Sequence, residues 1–123
     1  MRFLVVDDSS TMRRVIINTL NNLGHTECHE AVNGREGLER LATTSVDMVI
    51  TDWNMPEMSG LEFARAIRAT DATRSLPILM VTANASEGDI AEALEAGVTN
   101  YVVKPFTPAS IKEKIEAVLK AVV

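Results

Sequence analysis

The sequence predicts an open α/β domain, a parallel sheet of five strands with helices on both faces. Short apolar runs of strand length alternate with stretches of helical period along the 123 residues. Runs 3–6, 48–50 and 78–81 are apolar without alternation, as strands buried on both faces must be. The runs end on polar residues, Asp7-Asp8, Asp52, Thr82 and Lys104, and parallel strands bring such ends to one edge of the sheet, where open α/β folds bind ligands.

The elements follow in order. Strands are placed near 2–6, 27–31, 47–52, 77–82 and 100–103, each followed by a helix. The first apolar run, Phe3-Leu4-Val5-Val6, stops at Asp7-Asp8, too soon for a signal-peptide core or a membrane span, so no membrane partner is expected. Gly24 suits a left-handed stop to the first helix. Asn33, with Glu36 three residues on, places an oxygen acceptor before the second helix, and Ser86 with Asp89 does so before the fourth. In that fourth helix Ile90, Ala93, Leu94 and Gly97 fall at i, i+3, i+4 and i+7 and are read as core, with Gly97 as the stop. Thr107-Pro108 opens the last helix, whose stripe of Ile111, Ile115, Val118, Leu119 and Val122 is also core. The strand order 2-1-3-4-5 puts the third strand at the centre and the second at an edge.

Composition limits the function. A 46 % hydrophobic content over this length supports one packed domain, residues 1–123, and no linker, repeat or low-complexity tract points to an appended output domain. Formal charge is −5 and the 12 Lys and Arg are scattered, which argues against binding a nucleic-acid backbone. Cys28 is the only cysteine, so no intrachain disulfide can form and a reducing cytoplasm is the expected compartment. His25, Cys28 and His29 do not make a zinc site, because strand alternation sends Cys28 and His29 to opposite faces.

The strand ends carry the chemistry. Asp7, Asp8 and Asp52 at one edge would repel one another and raise at least one pKa unless a cation holds them ionised. Oxygen ligands alone point to a hard ion, and Mg²⁺ favours few carboxylates completed by water and a phosphate oxygen. Lys104 adds a positive charge and Thr82 a hydroxyl, the set that stabilises a phosphoryl group in transfer. Asp52, central among them, is the natural nucleophile, and its attack on phosphorus yields an acyl phosphate. Each feature alone has an ordinary explanation: a solvated turn for Asp7-Asp8, a strand end for Thr82, a surface amine for Lys104. Their coincidence at three strand ends is what marks a site.

The run Asp52-Trp53-Asn54-Met55-Pro56-Glu57-Met58-Ser59-Gly60, with Asp7-Asp8, Thr82-Ala83 and Lys104-Pro105-Phe106, closely resembles the receiver domain of bacterial two-component response regulators. The resemblance spans essentially the whole chain. Ser10-Thr11-Met12-Arg13-Arg14 and Tyr101-Val102-Val103-Lys104-Pro105-Phe106-Thr107 are similar to the chemotaxis members of that family. The resemblance implies a flavodoxin-like fold, phosphoryl transfer to Asp52 from a sensor histidine kinase, and Mg²⁺ held by Asp7, Asp8, Asp52 and the Asn54 backbone carbonyl. It further implies that Thr82, Ala83, Asn54 and Lys104 contact the phosphoryl group and that the Lys104-Pro105 peptide is cis. Thr82 and Tyr101 become a coupled switch facing the partner, while Asn54 and Asn84 modulate hydrolysis of the acyl phosphate, with or without a dedicated phosphatase.

The expected output is a monomeric phospho-acceptor whose phosphorylated form binds the flagellar motor switch. A phosphate sink, a phosphorelay intermediate and a single-domain regulator outside chemotaxis remain alternatives, since Glu87, Asp89, Glu92 and Glu95 make the fourth helix more acidic than in the chemotaxis relatives. A small Mg²⁺-dependent phosphohydrolase with an aspartyl-phosphate intermediate is the alternative of another class. Such enzymes generally place a second acid where this chain has Asn54, and need a cap to exclude water. A degenerate receiver used as a scaffold is disfavoured by the intact acid set. Trp53, beside the nucleophile, would report on ions or phosphate bound there.

Overall fold

The computed structural model describes residues 1–83 and 86–121. The order is β1 (Arg2–Val6), α1 (Ser10–Asn22), β2 (Glu27–Ala31), α2 (Gly34–Thr43), β3 (Met48–Asp52), α3 (Gly60–Ala69), a 3-10 turn (Asp71–Thr73), β4 (Ile78–Thr82), α4 (Glu87–Glu95), β5 (Asn100–Val103) and α5 (Pro108–Ala121). The five strands form one sheet in the order β2-β1-β3-β4-β5, with every neighbouring pair parallel. This is the flavodoxin-like order expected from the sequence.

Continuous apolar strands are explained by cores on both faces. Phe3–Val6 and every residue of β3 and β4 are buried. Because successive side chains point to opposite faces, Phe3, Val5, Ile50 and Leu79 meet Ile16 and Leu20 of α1 and Ile111 and Ile115 of α5. Leu4, Val6, Val49 and Met80 meet Phe63, Ala64 and Ile67 of α3 and Ala93 of α4 on the other side. Each large apolar side chain so buried contributes about 1.5–3 kcal/mol, and together they fix the register that aligns the strand ends.

The helix starts obey the expected chemistry. Asn33 Oδ1 accepts from Glu36 N at 2.9 Å, Ser86 Oγ from Asp89 N at 3.1 Å, and Thr107 Oγ1 from Ser110 N at 3.1 Å. Gly24 and Gly97 sit at φ 91° and 104°, where a side chain would be strained. One stripe departs from expectation. Leu94 is 50 % exposed rather than core, and Ile90 is only partly buried. The buried face of α4 is set by Ala93 with Ala96 just beyond the helix, small residues that allow close approach to the sheet. Leu94, one position and about 100° further round than Ala93, therefore points away. Val122 lies outside the described residues. Among the described residues no helix is long and apolar enough to cross a membrane.

Candidate functional site

The end of β1 is held by its backbone. Asp7 N donates to Ala31 O at 3.1 Å, and the Asp7 carbonyl accepts from Arg13 Nη1 at 2.6 Å. Arg13 also donates from Nε to Glu30 Oε1 at 2.9 Å, tying α1 to β2 behind the acid pair. Asp7 is 2 % exposed. Its Oδ1 accepts from Ser9 N at 2.8 Å, whereas its buried Oδ2 has no hydrogen-bond partner among the described residues. Burial lifts the Asp7 pKa from 3.8 to about 6, and the nearby Asp52 charge adds to the rise against the opposing Ser9 N–H and Lys104. The expected rise is present, but desolvation rather than mutual repulsion is its larger cause. Asp8 is exposed at the rim.

At the centre of the sheet, Asp52 is 7 % exposed. Its Oδ1 accepts from Trp53 N at 2.9 Å and from Lys104 Nζ at 3.0 Å, a charge-assisted bond spanning 52 residues of sequence. Behind it Gly60 N donates to Trp53 O at 2.7 Å, and a Cβ on Gly60 would overlap the Asp52 carbonyl oxygen. Only glycine permits α3 to start this close to the acid. Trp53 is buried in the core beside the site, and Asn54 follows in the exposed loop.

Thr82 ends β4, 2 % exposed, and its carbonyl accepts from Lys104 N at 2.8 Å, which fixes the backbone from which Lys104 reaches Asp52. The Lys104-Pro105 peptide is cis, as expected. Ala83 is exposed at the rim. Tyr101, on β5, is partly buried against the α3 and α4 core, with Lys114 Nζ 5.2 Å from its ring centroid. Asn84 lies outside the described residues.

Asp7, Asp8 and Asp52 each offer an oxygen, and these atoms lie within 4.8 Å of one another, the one such group of His, Cys, Asp or Glu among the described residues. Hard oxygen donors, one of them a buried orphan, suit a hard divalent cation such as Mg²⁺. The sequence thus brings together Asp7, Asp8, Asp52 and Lys104 as expected. Cys28 packs, partly buried, against the α1/α5 core, while His29 Nε2 lies 3.7 Å from Glu27 Oε2 and the His25 ring sits tilted against Phe3, 4.9 Å between centroids. Two residues around the site make bonds that local spacing does not signal: Arg13, which holds the Asp7 carbonyl from behind, and Asn33, whose spacing to Glu36 marks the cap but not its second bond, to Glu57. Both bonds act across the fold.

Comparison with known proteins agrees with this geometry. The response regulator receiver domain family model matches residues 3–116. The chain is 51 % identical to chemotaxis protein CheY1 of Helicobacter pylori, over 97 % of each chain. The structure of chemotaxis response regulator CheY4 of Vibrio cholerae superposes with a TM-score of 0.90 at 36 % identity, over 95 % of this chain and 97 % of that one. The receiver domain of a Pseudomonas aeruginosa sensor histidine kinase, solved with magnesium coordinated in its active site cleft, gives 0.84 at 29 % identity over 94 % of each chain. With an acid trio and a lysine converging at the carboxyl edge of a 2-1-3-4-5 sheet, this chain belongs to the response regulator receiver domain family.

Proposed function

We propose that this receiver is a Mg²⁺-dependent phospho-acceptor of a two-component chemotaxis pathway, with Asp52 as the acceptor. The observation that carries the reading is the 3.0 Å contact between Lys104 Nζ and Asp52 Oδ1 beside the unpartnered Asp7 oxygen. Asp7, Asp8, Asp52 and the Asn54 carbonyl would hold Mg²⁺, which neutralises charge on the carboxylates and the incoming phosphoryl oxygens. Trp53 N–H and Lys104 hold Asp52 in one orientation. A carboxylate oxygen of Asp52 forms an O–P bond as the P–N bond of a kinase phosphohistidine breaks. The Lys104 ammonium, the Thr82 hydroxyl and the backbone at Ala83 receive the phosphoryl oxygens, where charge is spread in transfer. Asn54 and Asn84 flank the acyl phosphate and set its lifetime, alone or with a phosphatase.

Thr82 then transmits the state to Tyr101 and the α4-β5-α5 face, where Leu94 and Val103 are exposed. Two charge-assisted hydrogen bonds at about 1.5–3 kcal/mol each approach the roughly 5.5 kcal/mol needed to invert a 1:99 population. The target we assign is the flagellar motor switch, met by a cytoplasmic monomer. The protein assists its own phosphorylation and does not turn over a substrate.

Mixing the protein with Mg²⁺ and acetyl phosphate should give a phosphorylated species by intact mass and a change in Trp53 emission. Asp52→Asn should abolish both, and undiminished labelling of that variant would overturn the assignment. Beryllofluoride should increase capture of the motor switch protein; no increase removes that target while leaving the chemistry intact.

A further inference from the structure

Asn33 does more than start a helix. Its Oδ1 accepts from Glu36 N at 2.9 Å, which commits the other end of the amide to donation, and Nδ2 donates to Glu57 Oε2 at 3.0 Å across 24 residues. Capping needs only the oxygen, which Asp or Ser supplies equally well. The second bond needs a donor beside the capping oxygen; an Asp carboxylate has none, and the Asn amide supplies it from a separate atom. Asn33 is 9 % exposed, so the amide is held in place.

Glu57 lies in the β3-α3 loop, five residues after Asp52 and three after Asn54. Its φ is 66°, the left-handed region that favours glycine, and it is the one non-glycine residue there among the described residues. The same loop is pressed onto the start of α2: a Cβ on Gly34 would meet Met58 Cγ at 2.9 Å and Sδ at 3.0 Å. Met58 N donates to Pro56 O at 2.7 Å, closing a tight turn around Glu57. A strained residue, a buried amide and a close-packed methionine thus latch this loop to α2, on the side of the sheet away from Lys104.

We propose that Asn33 is a positioning residue for the cation site: through Glu57 it holds the β3-α3 loop, and with it the Asn54 carbonyl, where that carbonyl completes the ligand set around Mg²⁺. The inference rests on the Asp52-centred reading above. Partners that orient a ligand without touching the metal typically change affinity by about 10–100-fold when lost.

The test is a Mg²⁺ titration followed by Trp53 emission, with urea unfolding of every variant. Asn33→Asp keeps the cap but sets two carboxylates against each other. It should bind Mg²⁺ about tenfold more weakly, although its added negative charge alone would tighten binding. Asn33→Asp combined with Glu57→Gln exchanges donor and acceptor at unchanged net charge and should restore wild-type affinity. Glu57→Gln alone keeps an acceptor for Asn33 and should stay close to wild type. Glu57→Gly, with the same charge as Glu57→Gln and at an exposed loop position, should weaken binding like Asn33→Asp.

Asn33→Asp binding as tightly as wild type, or a folded double variant that fails to recover, would overturn the proposal. If Asn33→Asp does not fold, the Glu57→Gly and Glu57→Gln pair decides, equal affinities counting against it. Wild-type protein that neither responds to Mg²⁺ nor labels would instead sink the site reading itself. Wild type that binds with all variants unchanged sinks only the role of Asn33.

Discussion

The ends of β1 and β3 hold the same residue type at similar burial in opposite conditions. Asp52 has Trp53 N–H and the Lys104 ammonium on one oxygen, while Asp7 has Ser9 N–H on one oxygen and none among the described residues on the other. A buried carboxylate that is hydrogen-bonded and paired keeps its charge cheaply; one left partly bare does not. Asp52 is thereby held in one orientation, as the proposed nucleophile requires, and Asp7 is left short of a positive charge. Three acids share one lysine, a deficit that a divalent cation would offset.

Removing the charge at the β1 end should break this asymmetry most completely. Asp7→Asn should lower Mg²⁺ affinity at least about 100-fold, as loss of a charged ligand exceeds loss of a supporting one, and should suppress labelling by acetyl phosphate. The same variant should make the metal-free protein about 1 kcal/mol more stable in urea at neutral pH. It removes a buried charge and turns new N–H donors toward the Asp8 and Asp52 oxygens. A destabilised variant that still binds Mg²⁺ would show that Asp7 is structural.

Acid should do reversibly what that substitution does permanently. Between 3.8 and about 6 the folded protein keeps a proton on Asp7 that the unfolded chain releases. Stability of the metal-free protein must therefore fall as pH rises through that window, by at most about 3 kcal/mol from this group. Mg²⁺ must displace the same proton, so its affinity should weaken about tenfold per unit below about pH 6. Trp53 titrations on either side of that pH test both signs, and an affinity flat with pH would show that Asp7 is already ionised.

The smallest change in Mg²⁺ affinity is expected at the β3 end. Lys104→Met leaves Asp52 with only the Trp53 N–H on Oδ1 and should cost about 1.5–3 kcal/mol of stability in urea. It should slow labelling without abolishing Mg²⁺ binding. Loss of Mg²⁺ binding in a folded Lys104→Met protein would mean that the two ends are not separable.

The legible parts of this molecule were those with a local signature. Apolar runs without alternation marked β1, β3 and β4, and Asn33, Ser86 and Thr107 marked helix starts, because each depends on neighbours within a few residues. Ser59, which forms a capping box with Glu62, carries the same kind of local signature. Leu94 departs from its expected stripe because spacing identifies a stripe but not its rotation about a short helix, which Ala93 and Ala96 settle by packing. The pKa of Asp7 and the second bond of Asn33 were not legible, since each depends on atoms brought in from elsewhere in the fold.

Residue types and their order by themselves determined the alternation of strand and helix and which polar side chains end the strands, because hydrophobic period and chain connectivity are properties of the polymer; the strand order 2-1-3-4-5 was implied by the family resemblance and is seen in the sheet. Only the tertiary structure decided which of the acids is paired, which is bare, and which amide bonds to the β3-α3 loop. Burial and hydrogen-bond distance exist only once separate segments have met.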